Sequence, residues 1–231
     1  GYTDNGKCPD CGAECPHTNV DATTYICGGC KQQMVVKMEK TSGAITYGTD
    51  LSVVMNAAED GETFTLLKDT PLGKYNVHIY DNKTITLDLN GYSVINQKTS
   101  AVIWIGKDDS DAAGKTGKLI IKGEGDIQNN LTIWNSGKLD LSGWMGTEMN
   151  YLGVYESISV TGIPDTAHIN KLWFNGWTTA DIQGIVLSGG SYGEIVWNNF
   201  NSIELPLGNL LAPGYAFQNE NDNTFVSYTD K

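Results

Sequence analysis

The chain has 231 residues, enough for one large domain or for one domain with a small additional module. It contains 15 lysines, no arginine and 27 acidic residues, so its net charge is −12. Such a surface repels nucleic acids and anionic membranes, because binding to phosphate depends on cationic side chains. No apolar run approaches the roughly 18–20 residues of a membrane span. We therefore expect a globular protein with no nucleic-acid partner and no membrane span, present as a monomer.

The first residues, "GYTDNGKC", have neither the basic region nor the apolar segment of a signal peptide. A cysteine cluster follows almost at once. We interpret the chain as a fragment of a longer protein, so the missing signal does not argue against secretion.

All five cysteines lie in "CPDCGAECPHTNVDATTYICGGC", residues 8–30, together with one of the three histidines. Two C-x2-C pairs on tight turns can supply the four ligands of a tetrahedral zinc ion. Two ligand sets share the second pair, and we favour the first: Cys15, His17, Cys27 and Cys30, or alternatively Cys8, Cys11, Cys27 and Cys30. In the favoured set, Cys8 and Cys11 are left over from a preceding, truncated copy of the module.

A disulfide framework is the alternative explanation of this cluster. Five cysteines would leave one thiol unpaired, which favours zinc. The ion would be structural, because a site made only of Cys and His ligands leaves no position open for a substrate. We thus predict a zinc-ribbon-like module over residues 1–35.

The next segment, residues 36–48, reads as a strand and linker. "TDLSVVMNAAEDG" then carries helix signals, with Thr49 or Asp50 as the N-cap and Gly61 just beyond the end. We predict a helix over residues 49–60 that caps the N-terminal end of the following domain.

From Gly61 onward one phrase recurs: an alternating strand that ends in a turn with glycine. It occurs as "TITLDLNG", "KLIIKGEG", "KLDLSG", "SISVTG" and "GIVLSGG", with other short strands between the copies. Repetition of this kind indicates a solenoid, in which each unit buries its inner face against its neighbours. The sequence predicts a mainly β fold, a single-stranded right-handed parallel β-helix over residues 49–231. A β-sandwich is the alternative, but hairpin signals are few.

The stretch "AAEDGETFTLLKDTPL…KTITLDLNGYSV" resembles a phrase of large, adhesin-like cell-surface proteins of Gram-positive bacteria, especially Firmicutes of the gut and mouth. "LGNLLAPGYAFQNENDNTF" resembles the phrase that closes their β-helical units, and "CPHTNVDATTYICGGCKQQM" resembles the small Cys/His modules beside them. The resemblance implies a right-handed parallel β-helix of pectate-lyase-like architecture and an extracellular, cell-wall or cell-surface location. It implies no shared catalytic motif.

Tryptophans are the candidate ligand-binding residues, because flat aromatic rings pack on the apolar faces of sugars. Trp144 and Trp177 lie in glycine-bounded turns, where exposure and burial are equally expected, and Trp104 and Trp134 lie within strands. The alternative for the strand tryptophans is a place in the core.

Carboxylates provide two weaker candidates. Asp88 and Asp140 hold the same place in the repeated phrase and could form an acidic pair on one face, although simple alternation also turns them outward. Asp108, Asp109 and Asp111 share a glycine-bounded loop that could hold calcium, with a solvated acidic loop as the alternative.

The function expected from these features is non-catalytic: binding or display of a host glycan or protein at a bacterial surface. Two alternatives remain, a polysaccharide hydrolase or lyase on the same fold and a purely structural spacer.

Overall fold

The computed structural model of the protein describes residues 14–95, 101–106, 116–133, 137–155, 159–176, 187–199, 211–220 and 223–228, together with Thr3, Gly6 and Lys7. In chain order the elements are β1 (Val36–Glu39), β2 (Ile45–Gly48), α1 (Leu51–Asn56), β3 (Thr63–Leu66), β4 (Thr70–Pro71), β5 (Val77–Ile79), β6 (Lys83–Asp88), β7 (Val94–Ile95), β8 (Val102–Ile105), β9 (Gly117–Gly123), β10 (Ile127–Ile133), β11 (Lys138–Trp144), β12 (Glu148–Tyr155), β13 (Ser159–Thr161), β14 (His168–Gly176), β15 (Ser191–Asn199), β16 (Tyr215–Glu220) and β17 (Asn223–Tyr228).

Most of these strands form a parallel β-solenoid of about four turns, which confirms the predicted fold class. The first sheet has the strand order β13-β11-β9-β6-β3-β1-β2, and the second contains β16-β17-β15-β14-β12-β10-β7-β4 with β5 and β8 beside them. Successive turns of the chain contribute one strand to each sheet, as β9 and β10 do, followed by β11 and β12. Neighbours of this kind pair in parallel, whereas the hairpins of a β-sandwich pair in antiparallel fashion.

The core consists of rows of aliphatic side chains that stack from one turn to the next. In the first sheet the strand register aligns Ile85, Leu119, Leu139 and Val160. In the second sheet it aligns Ile103, Leu131, Leu152 and Leu172. Every one of these side chains is at most 2% exposed. The alternation of the repeated phrase therefore turns every second residue inward. Inward residues at equivalent positions of successive coils form an apolar row, and the burial of these rows stabilises the solenoid.

The turns that join the two sheets are held by side chains that reach across neighbouring coils. Asn90 has a φ of 52° and donates from Nδ2 to the carbonyl oxygen of Leu66 over 3.0 Å. This positive φ is the left-handed conformation that asparagine tolerates in turns. Farther along, Asp126 Oδ1 accepts hydrogen bonds from the backbone N–H groups of Thr147 and Glu148, at 3.0 and 2.9 Å.

Residues 36–48 belong to the first sheet rather than to a linker. β1 and β2 form an antiparallel hairpin, and β1 also pairs in antiparallel fashion with β3 of the first coil. The edge of a solenoid exposes unpaired backbone groups, and β1 satisfies those of β3. Residues 36–48 are therefore an extension of the first sheet.

The predicted helix is confirmed, but it is shorter than residues 49–60. α1 spans Leu51–Asn56, and Asp50 caps it by accepting from the N–H of Val53 over 3.1 Å. The helix stops because the following residues bind the second coil: Asp60 accepts from the backbone of Thr84 over 2.7 Å. Leu51 and Met55 are buried in the core beside the first coil, as a cap requires. Among the described residues, no helix has the length and apolar character that a membrane span needs.

At the other end, β16 and β17 form an antiparallel hairpin, and β17 pairs in antiparallel fashion with β15. The hairpin, up to Phe225, lies within the C-terminal phrase that was expected to close the unit. It covers the last parallel strand of the second sheet, where an open edge would otherwise remain.

Candidate functional site

The cysteine module is built from short bridges and one tight turn. Isolated antiparallel bridges join Val20 to Cys27 and Ile26 to Gln33. Between them, the N–H of Lys31 donates to the carbonyl oxygen of Cys27 over 2.8 Å, which closes the turn that carries Cys27 and Cys30. A Cβ at Gly28 would lie 2.7 Å from Asn19 Nδ2 and 3.3 Å from the carbonyl oxygen of Asn19, so this turn packs closely against Asn19.

Four ligand atoms converge at this turn. One ligand atom from each of Cys15, His17, Cys27 and Cys30 lies within 4.8 Å of the others. Cys15 Sγ and Cys27 Sγ are 3.5 Å apart, and Cys30 Sγ is 3.6 Å from His17 Nδ1. A tetrahedral ion with Zn–S bonds of about 2.3 Å places its sulfur ligands roughly 3.8 Å apart. The four atoms therefore surround a space that suits one such ion.

Burial and hydrogen bonding act differently on two of the thiols. Burial raises the pKa of the Cys15 thiol. Burial also acts to raise the pKa of Cys27, but hydrogen bonds from the backbone of Cys30, from His17 and from the backbone of Gly29 outweigh it and lower the pKa to about 6. Cys27 thus has the thiolate character that a metal ligand needs.

The donor set fits a soft or borderline cation. Three sulfur atoms and one imidazole nitrogen suit zinc and disfavour calcium or magnesium, which prefer oxygen ligands. The three described cysteines are free thiols rather than members of a disulfide, and all three are buried. Of the two ligand sets considered, the structure brings together the one with Cys15 and His17, while Cys8 and Cys11 lie outside the described residues.

The cysteine module shares a small core with the solenoid. Cys15, Cys27, Cys30 and Met34 cluster with Leu67, which follows β3. The N–H of Leu67 also donates to the carbonyl oxygen of Val35 over 3.0 Å. The module therefore rests on the first coil through both apolar and backbone contacts.

A second feature lies on the outer face of the second sheet. The register places five residues of consecutive coils in one outer row, namely His78, Trp104, Thr132, Gly153 and Trp173. The rings of His78 and Trp104 stack with centroids 6.4 Å apart. With strands about 4.8 Å apart, the two tryptophans of the row are separated by about 14 Å.

Tyr151 and Trp173 form an aromatic pair on this face, with ring centroids 6.1 Å apart and planes tilted by 58°. A Cβ at Gly153 would lie 2.9 Å from a ring carbon of Tyr151, so the tyrosine ring occupies the space above this glycine. Both rings are partly exposed. The sequence alone assigns no role to Tyr151, because its relation to Trp173 depends on the register between coils.

The four tryptophans named as candidate ligand-binding residues have different outcomes. Trp104 is partly exposed on the outer face, whereas Trp134 and Trp177 lie outside the described residues. For Trp144 the structure shows burial, the alternative to a ligand-binding role: its side chain is 2% exposed and donates from Nε1 to the carbonyl oxygen of Gly125 over 2.8 Å. A register shift between Asp140 and Gly143 is the cause, since one extra residue in β11 reverses the alternation and turns Trp144 inward.

Asp88 and Asp140 lie on the outer face of the first sheet, and each pairs with a lysine. Asp88 is 3.2 Å from Lys122 Nζ, and Asp140 is 2.9 Å from Lys118 Nζ. Hydrogen bonds from Ser142 and from Lys118 lower the pKa of Asp140. A glycosidase acid needs a raised pKa instead, so this pair does not have the properties of a catalytic dyad. The calcium candidates Asp108, Asp109 and Asp111 lie outside the described residues.

Comparison of the chain with protein-family models, with curated proteins and with solved structures finds no match. The resemblance to adhesin-like surface proteins therefore stays a prediction. Two statements stand on the geometry: the chain forms a parallel β-solenoid, and a Cys/His group near its N-terminus could hold a metal ion.

Proposed function

We propose that the chain is part of a non-catalytic, adhesin-like protein at a bacterial surface, and that its solenoid binds host glycans through the outer face of the second sheet. The observation that best supports this proposal is the partly exposed pair of Tyr151 and Trp173 on that face. Aromatic rings exposed on a rigid sheet offer flat apolar surfaces, and sugar rings have matching apolar faces.

In this proposal the Cys/His module is a structural zinc site. Its ligands come from thiolates and an imidazole, and its sulfur atoms are buried, which suits a closed site and leaves no position for a substrate. The ion would fix the module on the first coil through the shared cluster around Leu67. It would stabilise the protein and take no part in binding.

The proposed location is extracellular, attached to the cell wall or the cell surface. It follows from the resemblance noted in the sequence, and the acidic composition agrees with a soluble, displayed domain. A hydrolase or lyase receives less support, because the acidic pair at Asp88 and Asp140 is neutralised by lysines.

Binding of the purified chain to immobilised mucin and to an array of host glycans tests this proposal. The expected result is saturable glycan binding that is weakened at least ~5-fold by Trp173→Ala and largely restored by Trp173→Phe, because each stacked ring contributes about 1 kcal/mol. Thr86→Ala, on the outer face of the first sheet, is the matched control.

The same preparations distinguish the alternatives. Release of new reducing ends from polysaccharides would identify an enzyme, and the proposal would be wrong. A folded chain that binds no glycan would indicate a structural spacer or a protein-binding surface instead.

A further inference from the structure

A polar groove of about 210 Å³ crosses the outer face of the second sheet, in the same strands as the aromatic pair. Its lining residues are Ile127, Gln128, Glu148, Asn150 and Asn170. Pockets for drug-sized ligands have volumes of about 300–1,000 Å³, so this groove suits a single small ring. Three of its five lining residues carry carboxamide groups, which can both donate to and accept from hydroxyl groups.

A bulge in β10 produces this groove. The register between β10 and β12 shifts between Ile127 and Asn130, so β10 has one residue more than its neighbour over this stretch. Bulges redirect side chains and recur beside functional sites. Gln128 lines the groove as a result, while the neighbouring Asn129 is 3% exposed and its Nδ2 has no hydrogen-bond partner among the described residues.

A chain of hydrogen bonds holds the amides of the groove in place. Ser191 Oγ lies 2.8 Å from His168 Nδ1, and His168 Nε2 lies 3.0 Å from Asn170 Oδ1. Asn170 Nδ2 in turn donates to Asn150 Oδ1 over 3.5 Å. With Nε2–H donating to Asn170 Oδ1, Nδ1 accepts from Ser191 Oγ, whose hydroxyl is shared with the carbonyl oxygen of Ala167 at 3.5 Å. The Nδ2 of Asn150 remains at the end of the chain, with no acceptor among the described residues, and can donate to a ligand.

The charge of this surface favours a neutral ligand. Glu148 is the one charged residue that lines the groove, and its carboxylate has no ion-pair partner in the described part of the chain. The next row contains Lys171 and Glu194, whose charges neutralise each other across 3.0 Å. Sialylated or sulfated sugars would meet repulsion from Glu148 and from a protein of net charge −12.

The groove and the aromatic pair are aligned along the strands. Asn150 and Gly153 are three residues apart in β12, and the ring of Tyr151 lies over Gly153. Three residues of a strand span about 10 Å. An oligosaccharide that fills the groove with one ring can therefore extend its next rings over Tyr151 and Trp173.

We infer that this groove is the primary subsite for a neutral glycan, with the glycan running along the strands toward Tyr151 and Trp173. The inference rests on the glycan-binding function proposed above. It adds where the glycan binds, that the glycan is neutral, and in which direction the glycan runs along the strands. Gln128, Asn150 and Asn170 bind the sugar hydroxyls. Glu148 accepts from one hydroxyl and repels anionic sugars.

The experiment measures binding of the intact chain to a glycan array with neutral, sialylated and sulfated members, followed by titration with the best neutral oligosaccharide. Wild type is expected to prefer neutral glycans. Asn150→Ala is expected to weaken the titrated binding roughly 5- to 10-fold through loss of one or two hydrogen bonds. Thr86→Ala, on the opposite sheet, is expected to bind as wild type does, and circular dichroism checks that each variant is folded.

Each result decides a different statement. Wild-type binding that Asn150→Ala and Gln128→Ala both leave unchanged would overturn the groove assignment and leave the proposed glycan-binding function intact. A preference for sialylated or sulfated glycans would overturn the neutral ligand class. No glycan binding by folded wild type would overturn the proposed function and this inference together.

Discussion

The cysteine module and the solenoid are stabilised in different ways. The solenoid buries rows of aliphatic side chains, and a row such as Ile103, Leu131, Leu152 and Leu172 is at most 1% exposed at every position. The module offers a cluster of three cysteines with Met34, and Leu67 of the solenoid completes it. A core so small offsets little of the entropy of ordering its own chain, and the structural zinc ion proposed above would supply the difference. In this proposal, one chain combines a segment folded by burial with a segment folded by coordination.

Metal removal should separate these two regions most strongly. Structural zinc contributes on the order of 10 kcal/mol to the folding of small zinc modules, so chelation should unfold the module while the solenoid remains folded. We expect the backbone amides of residues 15–34 to lose protection from hydrogen exchange in EDTA. The amides of β9–β12 should keep theirs. Equal loss of protection in both regions would contradict separate stabilisation.

A cavity in the solenoid should have the opposite effect and destabilise the solenoid rather than the cysteine module. Leu152→Ala removes a side chain that is 0% exposed in the middle of an aliphatic row, and such substitutions cost about 2–5 kcal/mol. We expect a lower midpoint of urea unfolding, with the metal content per chain unchanged. Val102→Ala, at a partly exposed outer position of β8, is the matched control and should lower the midpoint far less.

A substitution at the junction should affect both regions moderately. Leu67→Ala removes a side chain that packs with the cysteine cluster, at a cost of about 2 kcal/mol because the site is at the edge of the core. The chain should still bind its metal, but hydrogen exchange should increase at Met34 and at β1. Unchanged exchange in these residues would mean that the module and the first coil are not coupled.

The smallest effect is expected from acid titration of the outer face. Hydrogen bonds from Ser142 and Lys118 lower the pKa of Asp140 in the folded chain, so its ionised form stabilises the fold above the unfolded pKa of about 3.9. This contribution should disappear as the pH falls through the lower, folded value. Asp140→Asn should therefore cost less than about 1 kcal/mol at pH 7, since the side chain is partly exposed, and nothing in strong acid. A cost that persists in strong acid would argue against this ion pair.

Much of the fold follows from the sequence because the repeated alternation specifies both strand and stacking. The glycine-bounded phrases around Leu87, Leu119 and Leu139 predicted parallel rows, and the structure contains them. The predicted end of α1 lies four residues beyond the observed one, because contacts between Asp60 and the second coil override the helix signals of the sequence. The inward position of Trp144 could not be predicted, since a bulge in β11 has no clear signature in the sequence.

The two candidate sites also differ in how far the sequence predicts them. The spacing of Cys15, His17, Cys27 and Cys30 was sufficient to name them as the favoured one of two ligand sets, because two short motifs place these residues locally. The groove around Asn150 and Asn170 was not predictable. Its residues come from three strands, and the lengths of the intervening loops determine which positions align.

The most direct test of the account is the metal content per chain, measured by mass spectrometry on wild type, on Cys27→Ser and on the double variant Cys8→Ser, Cys11→Ser. The account predicts one zinc ion in wild type and in the double variant, and none in Cys27→Ser. Zinc that persists in Cys27→Ser, or that is lost from the double variant, would contradict the assignment of Cys15, His17, Cys27 and Cys30 as the site that holds the module together.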